Sequence, residues 1–157
     1  MSLKISSKDM EEGTQALPVH SGGMKTLFVY GNDQNMMVAT RSPNYHSKPH
    51  KHDCEQLNYV AAGEIWIFVE DEGYHLVEGD FFRVPRNKLH WAWVKGTKPC
   101  VLVQSHAPVL APDTRRGTVG LFADGEKPQV NATPPQESID IDVSAVERKA
   151  MGAAYSG

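Results

Sequence analysis

Short alternating or apolar runs, each closed by a turn signal, recur along most of this chain and restrict what it can fold into. Strands are predicted near Lys25–Tyr30, Met36–Arg41, Glu55–Val60, Glu64–Glu70, His75–Val77, Asp80–Val84, Leu89–Val94 and Val101–Ser105. The breaks between them are Gly31-Asn-Asp33, Ser42-Pro-Asn44, Ala62-Gly63, Asp71-Glu-Gly73, Glu78-Gly79, Pro85-Arg-Asn87 and Gly96-Thr-Lys-Pro99. Short strands at this spacing build an antiparallel sandwich or barrel, whereas alternating β-α units need long helical stretches between strands. No such stretch interrupts the series, so the expected fold is all-β.

The pattern divides the chain into an N-terminal segment (1–24), a barrel (25–123) and a C-terminal tail (124–157). Leu121-Phe122 is expected to close one more strand, and Asp124–Gln136, rich in Gly, Pro and polar residues, reads as a linker. Ser144-x-x-Glu147 has the form of a capping box, in which the Ser hydroxyl accepts from an early helix N–H and the Glu reaches back to the cap. It predicts a short helix over Ala145–Met151, stopped near Gly152.

With 157 residues the chain is one ordinary domain and needs no covalent staples. Cys54 and Cys100 are too few for a disulfide framework. The 16 basic residues against 19 acidic ones, with no basic run, exclude a nucleic-acid groove, which needs a positive stripe. The polar start has no apolar core of a signal peptide, and no apolar run reaches the length of a membrane span. These features predict a cytoplasmic protein with no membrane partner.

His50-Lys-His52 is the chemically informative motif. On a strand, residues i and i+2 share a face about 6.5–7 Å apart, close enough for two imidazoles to converge on one ion. Gln56 has the same parity, and His90 follows a later turn from which it could return beside them in a curled sheet. Glu55, the neighbouring donor, has the opposite parity. His20, His75 and His106 have no partner at ligand spacing and read as surface or satisfied core residues.

Over about Asn44–Val94 the chain resembles the cupin superfamily. The first family motif (Gly, five residues, His-x-His, three or four residues, Glu, six residues, Gly) is matched by Asn44, His50, His52, Gln56 and Gly63. The second (Gly, five residues, Pro-x-Gly, two residues, His) is matched by Gly79, Pro85, Asn87 and His90. Asn stands for Gly at 44 and 87, where a positive φ is expected and Asn tolerates it. Gln56 stands where Glu is usual, similar to a His-x-His-x-x-Glu-Gln variant of small bacterial cupins in which the Gln oxygen ligates. The resemblance implies a double-stranded β-helix, or jelly roll, with one divalent transition metal on His50, His52, Gln56 and His90. Imidazole and oxygen donors suit Zn, Fe, Ni, Mn or Cu.

Three imidazoles and an amide are neutral, so the ion would keep its full charge and act as a strong Lewis acid toward a carbonyl, enolate or carboxylate. Cys54 and Asn58 share the parity of His52 and Gln56 and are candidates for the pocket wall. No inward Asp or Glu is identifiable as a base, which leaves Tyr45 and His46, in the turn leading into the site, or metal-bound hydroxide. The expected function is Lewis-acid isomerisation, ring opening or lyase chemistry on a small oxygenated metabolite. An Fe(II) dioxygenase and a non-catalytic metal-bearing binding protein are the alternatives. Trp66, Phe68, Trp91 and Trp93 form an apolar face pointing away from the metal. The C-terminal tail, the second sheet or another subunit could cover it, and the cupin resemblance makes a homodimer the expected cover.

Overall fold

The computed structural model describes residues 2–14, 17–111 and 117–156, and over these the chain forms two sheets facing each other. In the first, the strand order is Gly13–Thr14, Met24–Tyr30, Asn35–Arg41, Cys100–Ala107, Glu55–Ala62, Phe81–Val84, with Thr118–Gly120 added parallel beside Met24–Tyr30. The second is centred on His90–Trp93. That strand pairs with Glu64–Val69 on one side and with His46–Ser47 and His50–Lys51 on the other. Glu72–Val77, Val19–Ser21 and Glu137–Ser138 complete it.

Pleating decides which side chains enter the barrel. Along Glu55–Ala62 the buried positions are Gln56, Asn58 and Val60, while Glu55 turns outward and accepts from Arg83 Nε at 2.8 Å. Cys100, Leu102, Gln104 and His106 face inward from the Cys100–Ala107 strand, and Asn35, Met37, Ala39 and Arg41 from Asn35–Arg41. Apolar members of these sets fill one end with Tyr45, Ile67 and Val94. A second apolar cluster gathers Phe28, Met37, Cys54 and Leu110.

Both Asn substitutions in the turns carry the left-handed conformation, with φ of 70° at Asn44 and 62° at Asn87. Asn87 also locks the two motif segments together. Its backbone N–H donates to the His52 carbonyl at 3.0 Å, and its amide nitrogen donates to Asp53 Oδ1 at 2.8 Å.

Several boundaries differ from the sequence expectation. The last barrel strand is Thr118–Gly120, not Leu121-Phe122; Phe122 instead packs edge-on against Tyr30 at 5.9 Å. The predicted His75–Val77 strand begins at Glu72, and Val101–Ser105 extends to Cys100–Ala107. In the last two cases main-chain pairing with a neighbour continues past the side-chain pattern that announced the strand.

The capping-box reading is overturned. The helix spans Ser144–Met151, but its N-cap is Val143 and no side chain caps it. Ser144 donates its N–H to Asp142 Oδ1 at 2.9 Å instead. Glu147 is turned under the helix, where Oε1 accepts from Trp91 Nε1 at 3.0 Å and from His46 Nε2 at 2.7 Å. Two buried donors hold that carboxylate more firmly than one exposed backbone N–H could.

The expected cover of the aromatic face is corrected with it. Phe68 and Trp91 are buried beneath Val143 and Met151, with Trp66, Trp93, Val146 and Tyr155 around them. The chain's own C-terminal helix covers this face. A strand apolar on both faces needs two covers, and the tail supplies the outer one.

Glu147 is therefore predicted to anchor the helix. Glu147→Ala strands the Trp91 N–H in an apolar layer and should lower the unfolding free energy by about 1–3 kcal/mol. Glu147→Gln keeps an acceptor for that N–H and should lose less. Urea titration followed by tryptophan fluorescence measures both; equal midpoints in all three proteins would contradict the anchor.

Candidate metal centre

His50 and His90 face each other across the antiparallel pair that joins their strands, with ring centres 4.3 Å apart. His50 and His90 line a cavity of about 620 Å³, open mouth included, and His52 stands behind them with its ring centre 4.7 Å from that of His90. Gln56 enters the cavity from the opposite sheet.

The rings share one hydrogen-bonding habit. His50 Nδ1 lies 2.9 Å from the Lys48 carbonyl, His90 Nδ1 lies 2.9 Å from the Lys88 carbonyl, and His52 Nδ1 lies 3.1 Å from the Cys54 carbonyl. A carbonyl only accepts, so for His50 and His90 the contact assigns the ring proton to Nδ1 and leaves Nε2 as the lone-pair nitrogen; His52 has the same carbonyl contact, with Gln56 Oε1 at its Nε2. This is the outer-shell support that orients metal-binding histidines. Burial, followed by the neighbouring His50 and His52, holds His90 well below the usual imidazole value, so it is neutral and able to ligate.

Gln56 is oriented as carefully. Its amide nitrogen donates to Asn58 Oδ1 at 2.8 Å, an oxygen that also accepts from Gln104 Nε2 at 2.8 Å. Oε1 of Gln56 is thereby aimed at His52 Nε2, 3.1 Å away. In the tautomer with the His52 proton on Nδ1, His52 Nε2 and Gln56 Oε1 present their lone pairs side by side, a donor pair that would fit a cation. Among the described residues no three His, Cys, Asp or Glu side chains already stand in closed ligating geometry. The fit of a divalent ion rests instead on the neutral, inward donor set and on how its protons are disposed.

His106, read from sequence as an isolated histidine, belongs to this site. Its Nδ1 is 2.9 Å from Asn35 Nδ2, and Asn35 Oδ1 accepts from the Leu110 N–H at 2.8 Å, which fixes the amide's orientation. His106 Nδ1 must then accept, and Nε2–H donates to Gln56 Oε1 at 3.2 Å. His106 thus carries the opposite tautomer from His50 and His90 and holds the Gln56 oxygen. The register that sets His106 across from Gln56 joins two strands distant in sequence, so no local motif announces it.

The other candidates separate. Tyr45 lines the cavity, whereas His46, one residue on, points out of the barrel and stacks 3.9 Å from Trp93 while donating to Glu147. His46 therefore does not face the cavity, a correction that strand parity explains. Cys54 is buried with Phe28 and Met37 behind His52, its Sγ 3.0 Å from Nδ1, and supports that ring from the side away from the cavity. Asn58 acts as the bracket of Gln56 rather than as pocket wall.

Comparison with known proteins agrees with this architecture. The family described as "Cupin domain" matches residues 37–106. The pectin degradation protein KdgF of Dickeya dadantii (strain 3937) is 32% identical over 91 residues, 57% of this chain and 82% of that protein. KdgF from Halomonas sp. superposes with a TM-score of 0.55 at 21% identity, covering 66% of this chain and 92% of that one. The polyketide cyclase RemF from Streptomyces resistomycificus superposes with a TM-score of 0.64 at 15% identity over 99% of this chain and 97% of its own. With both motif segments in register on a two-sheet barrel, and with these likenesses, the chain belongs to the cupin superfamily.

Proposed function

We propose that this protein is a metal-dependent enzyme that holds one divalent ion on His50, His52, His90 and Gln56 and acts on a small oxygenated metabolite by isomerisation, ring opening or lyase chemistry. The carrying observation is that three inward imidazoles each set Nδ1 against a backbone carbonyl, with a fixed amide oxygen facing them. A bound ion would supply Lewis acidity, undiminished by any anionic ligand. The chain's own residues set the conditions for it. Tyr45 and Leu102 provide a dry wall, and the Asn58–Gln104 bracket keeps the Gln56 oxygen forward. The 32% likeness to a pectin degradation protein supports sugar-acid-like substrates, since pectin is a polymer of uronic acid.

Elemental analysis of protein purified without added metal, with an anaerobic assay on oxo acids, hydroxy acids and unsaturated uronates, tests the proposal. Conversion with Zn, Ni or Mn and no oxygen uptake supports it. Iron with stoichiometric oxygen consumption would replace it by the dioxygenase reading, and bound metal with no conversion by the binding-protein reading.

Two substitutions probe the ligand set. His90→Ala and His52→Ala should each reduce metal content from about one ion per chain to a small fraction while circular dichroism stays β-rich; full occupancy in both would refute the assignment. Gln56→Glu adds a negative charge in contact with the ion. Metal should bind at least as tightly, because Coulomb attraction at contact distance is large. Turnover at neutral pH should fall about tenfold or more as the ion's Lewis acidity drops. Unchanged turnover with metal loaded would show the neutral ligand to be incidental.

A further inference from the structure

Arg41 is the charged lining residue that the centre described above does not use. It ends the Asn35–Arg41 strand, lines the same cavity as His50, Gln56 and His90, and is 7% exposed. Nη2 reaches Gln104 Oε1 at a long 3.4 Å, and the guanidinium carbon sits 5.3 Å over the Tyr45 ring. Nε and Nη1 are buried with no hydrogen-bond partner, and no described carboxylate is paired with them.

A guanidinium does not lose its proton, so burial cannot be relieved by neutralisation as it can for Lys. Holding such a charge without a counter-ion is costly, and a fold that does so at a cavity wall has a place for an anion. The rest of the lining supports the same sign. None of the described lining residues is Asp or Glu, and Arg41 is the one Lys or Arg among them. A divalent ion on four neutral donors would add further positive charge. One delocalised charge with planar donors matches a carboxylate monoanion, whereas a phosphate dianion calls for more cations or backbone N–H groups than this wall presents.

We propose that Arg41 is a carboxylate subsite, so that the cavity takes small hydroxy- or oxo-carboxylates with the acid on Arg41 and the reacting oxygen toward His50, His90 and Gln56. The second half rests on the metal-centre reading; the first does not. The hydrogen-bonded path Arg41–Gln104–Asn58–Gln56 connects the two ends of the cavity through side chains already fixed in orientation.

The test measures binding to zinc-loaded protein by calorimetry. Acetohydroxamate probes the ion alone. The monohydroxamates of malonic, succinic and glutaric acids carry a carboxylate at increasing reach. At least one of these should bind wild type about tenfold or more tighter than the uncharged alkyl hydroxamate of equal length, the gain for one charge-assisted contact. Arg41→Met should lose that gain and Arg41→Lys should keep part of it, with acetohydroxamate affinity unchanged within about twofold in all three. Arg41→Met should also melt no lower than wild type, because an apolar stem of similar length removes an unpaired buried charge. No gain at any reach, or a gain that survives Arg41→Met, overturns the subsite. A variant that melts lower yet binds the carboxylated probes like wild type would assign Arg41 to structure. Failure of acetohydroxamate to bind wild type would instead reject the metal centre. Succinate and glutarate binding by wild type and Arg41→Met then decides the subsite by itself: loss in the variant supports it, and equal binding overturns it.

Discussion

The two-residue period of a pleated strand, applied to a barrel closed by its own tail, is the constraint on which this protein depends. It separates residues adjacent in sequence onto opposite sides of one wall: Gln56 from Glu55, and Tyr45 from His46. One side collects neutral donors around a cavity. The other collects Trp66, Phe68 and Trp91 for the C-terminal helix to cover. A shift of one residue in any ligand strand would exchange the two sets and leave neither a site nor a seat for the helix.

Within the barrel, specificity of orientation comes from hydrogen bonds between groups that each have one satisfactory role. Three imidazoles set Nδ1 against backbone carbonyls, while His106 accepts at Nδ1 from Asn35 and donates at Nε2 to Gln56. The Gln56 amide is thereby held from both ends, nitrogen on Asn58 and oxygen beneath His106. Buried polar networks of this kind are costly when incomplete and rigid when satisfied. Most of this one is satisfied by protein alone. The exception among the described residues is the unpaired face of Arg41, which borders the cavity.

Much of the barrel was legible in the sequence because its signals are local. Alternation and turn residues located the eight principal strands, and motif spacing singled out Asn44 and Asn87 as positions of positive φ. What stayed hidden depends on contacts between distant segments. His106 lacks a neighbour at ligand spacing, yet the register of its strand sets it opposite Gln56. Arg41 reads as an ordinary strand-end charge until three strands bury it. Glu147 fitted a helix-capping pattern, but the tertiary partners Trp91 and His46 outcompete the cap. The aromatic face was read correctly as covered, and its cover lay about fifty residues further along the same chain.

The central claim is that the protein disposes protons so that three histidines offer Nε2 to one ion while a fourth does not. Nitrogen-15 NMR of the imidazole rings, recorded before and after one equivalent of zinc, tests it most directly. With zinc bound, His50, His52 and His90 should be Nδ1–H rings whose Nε2 signals carry the metal shift. His106 should remain an Nε2–H ring with an unprotonated, unshifted Nδ1. A metal shift at His106, or zinc binding that leaves any of the other three rings unchanged, would contradict it.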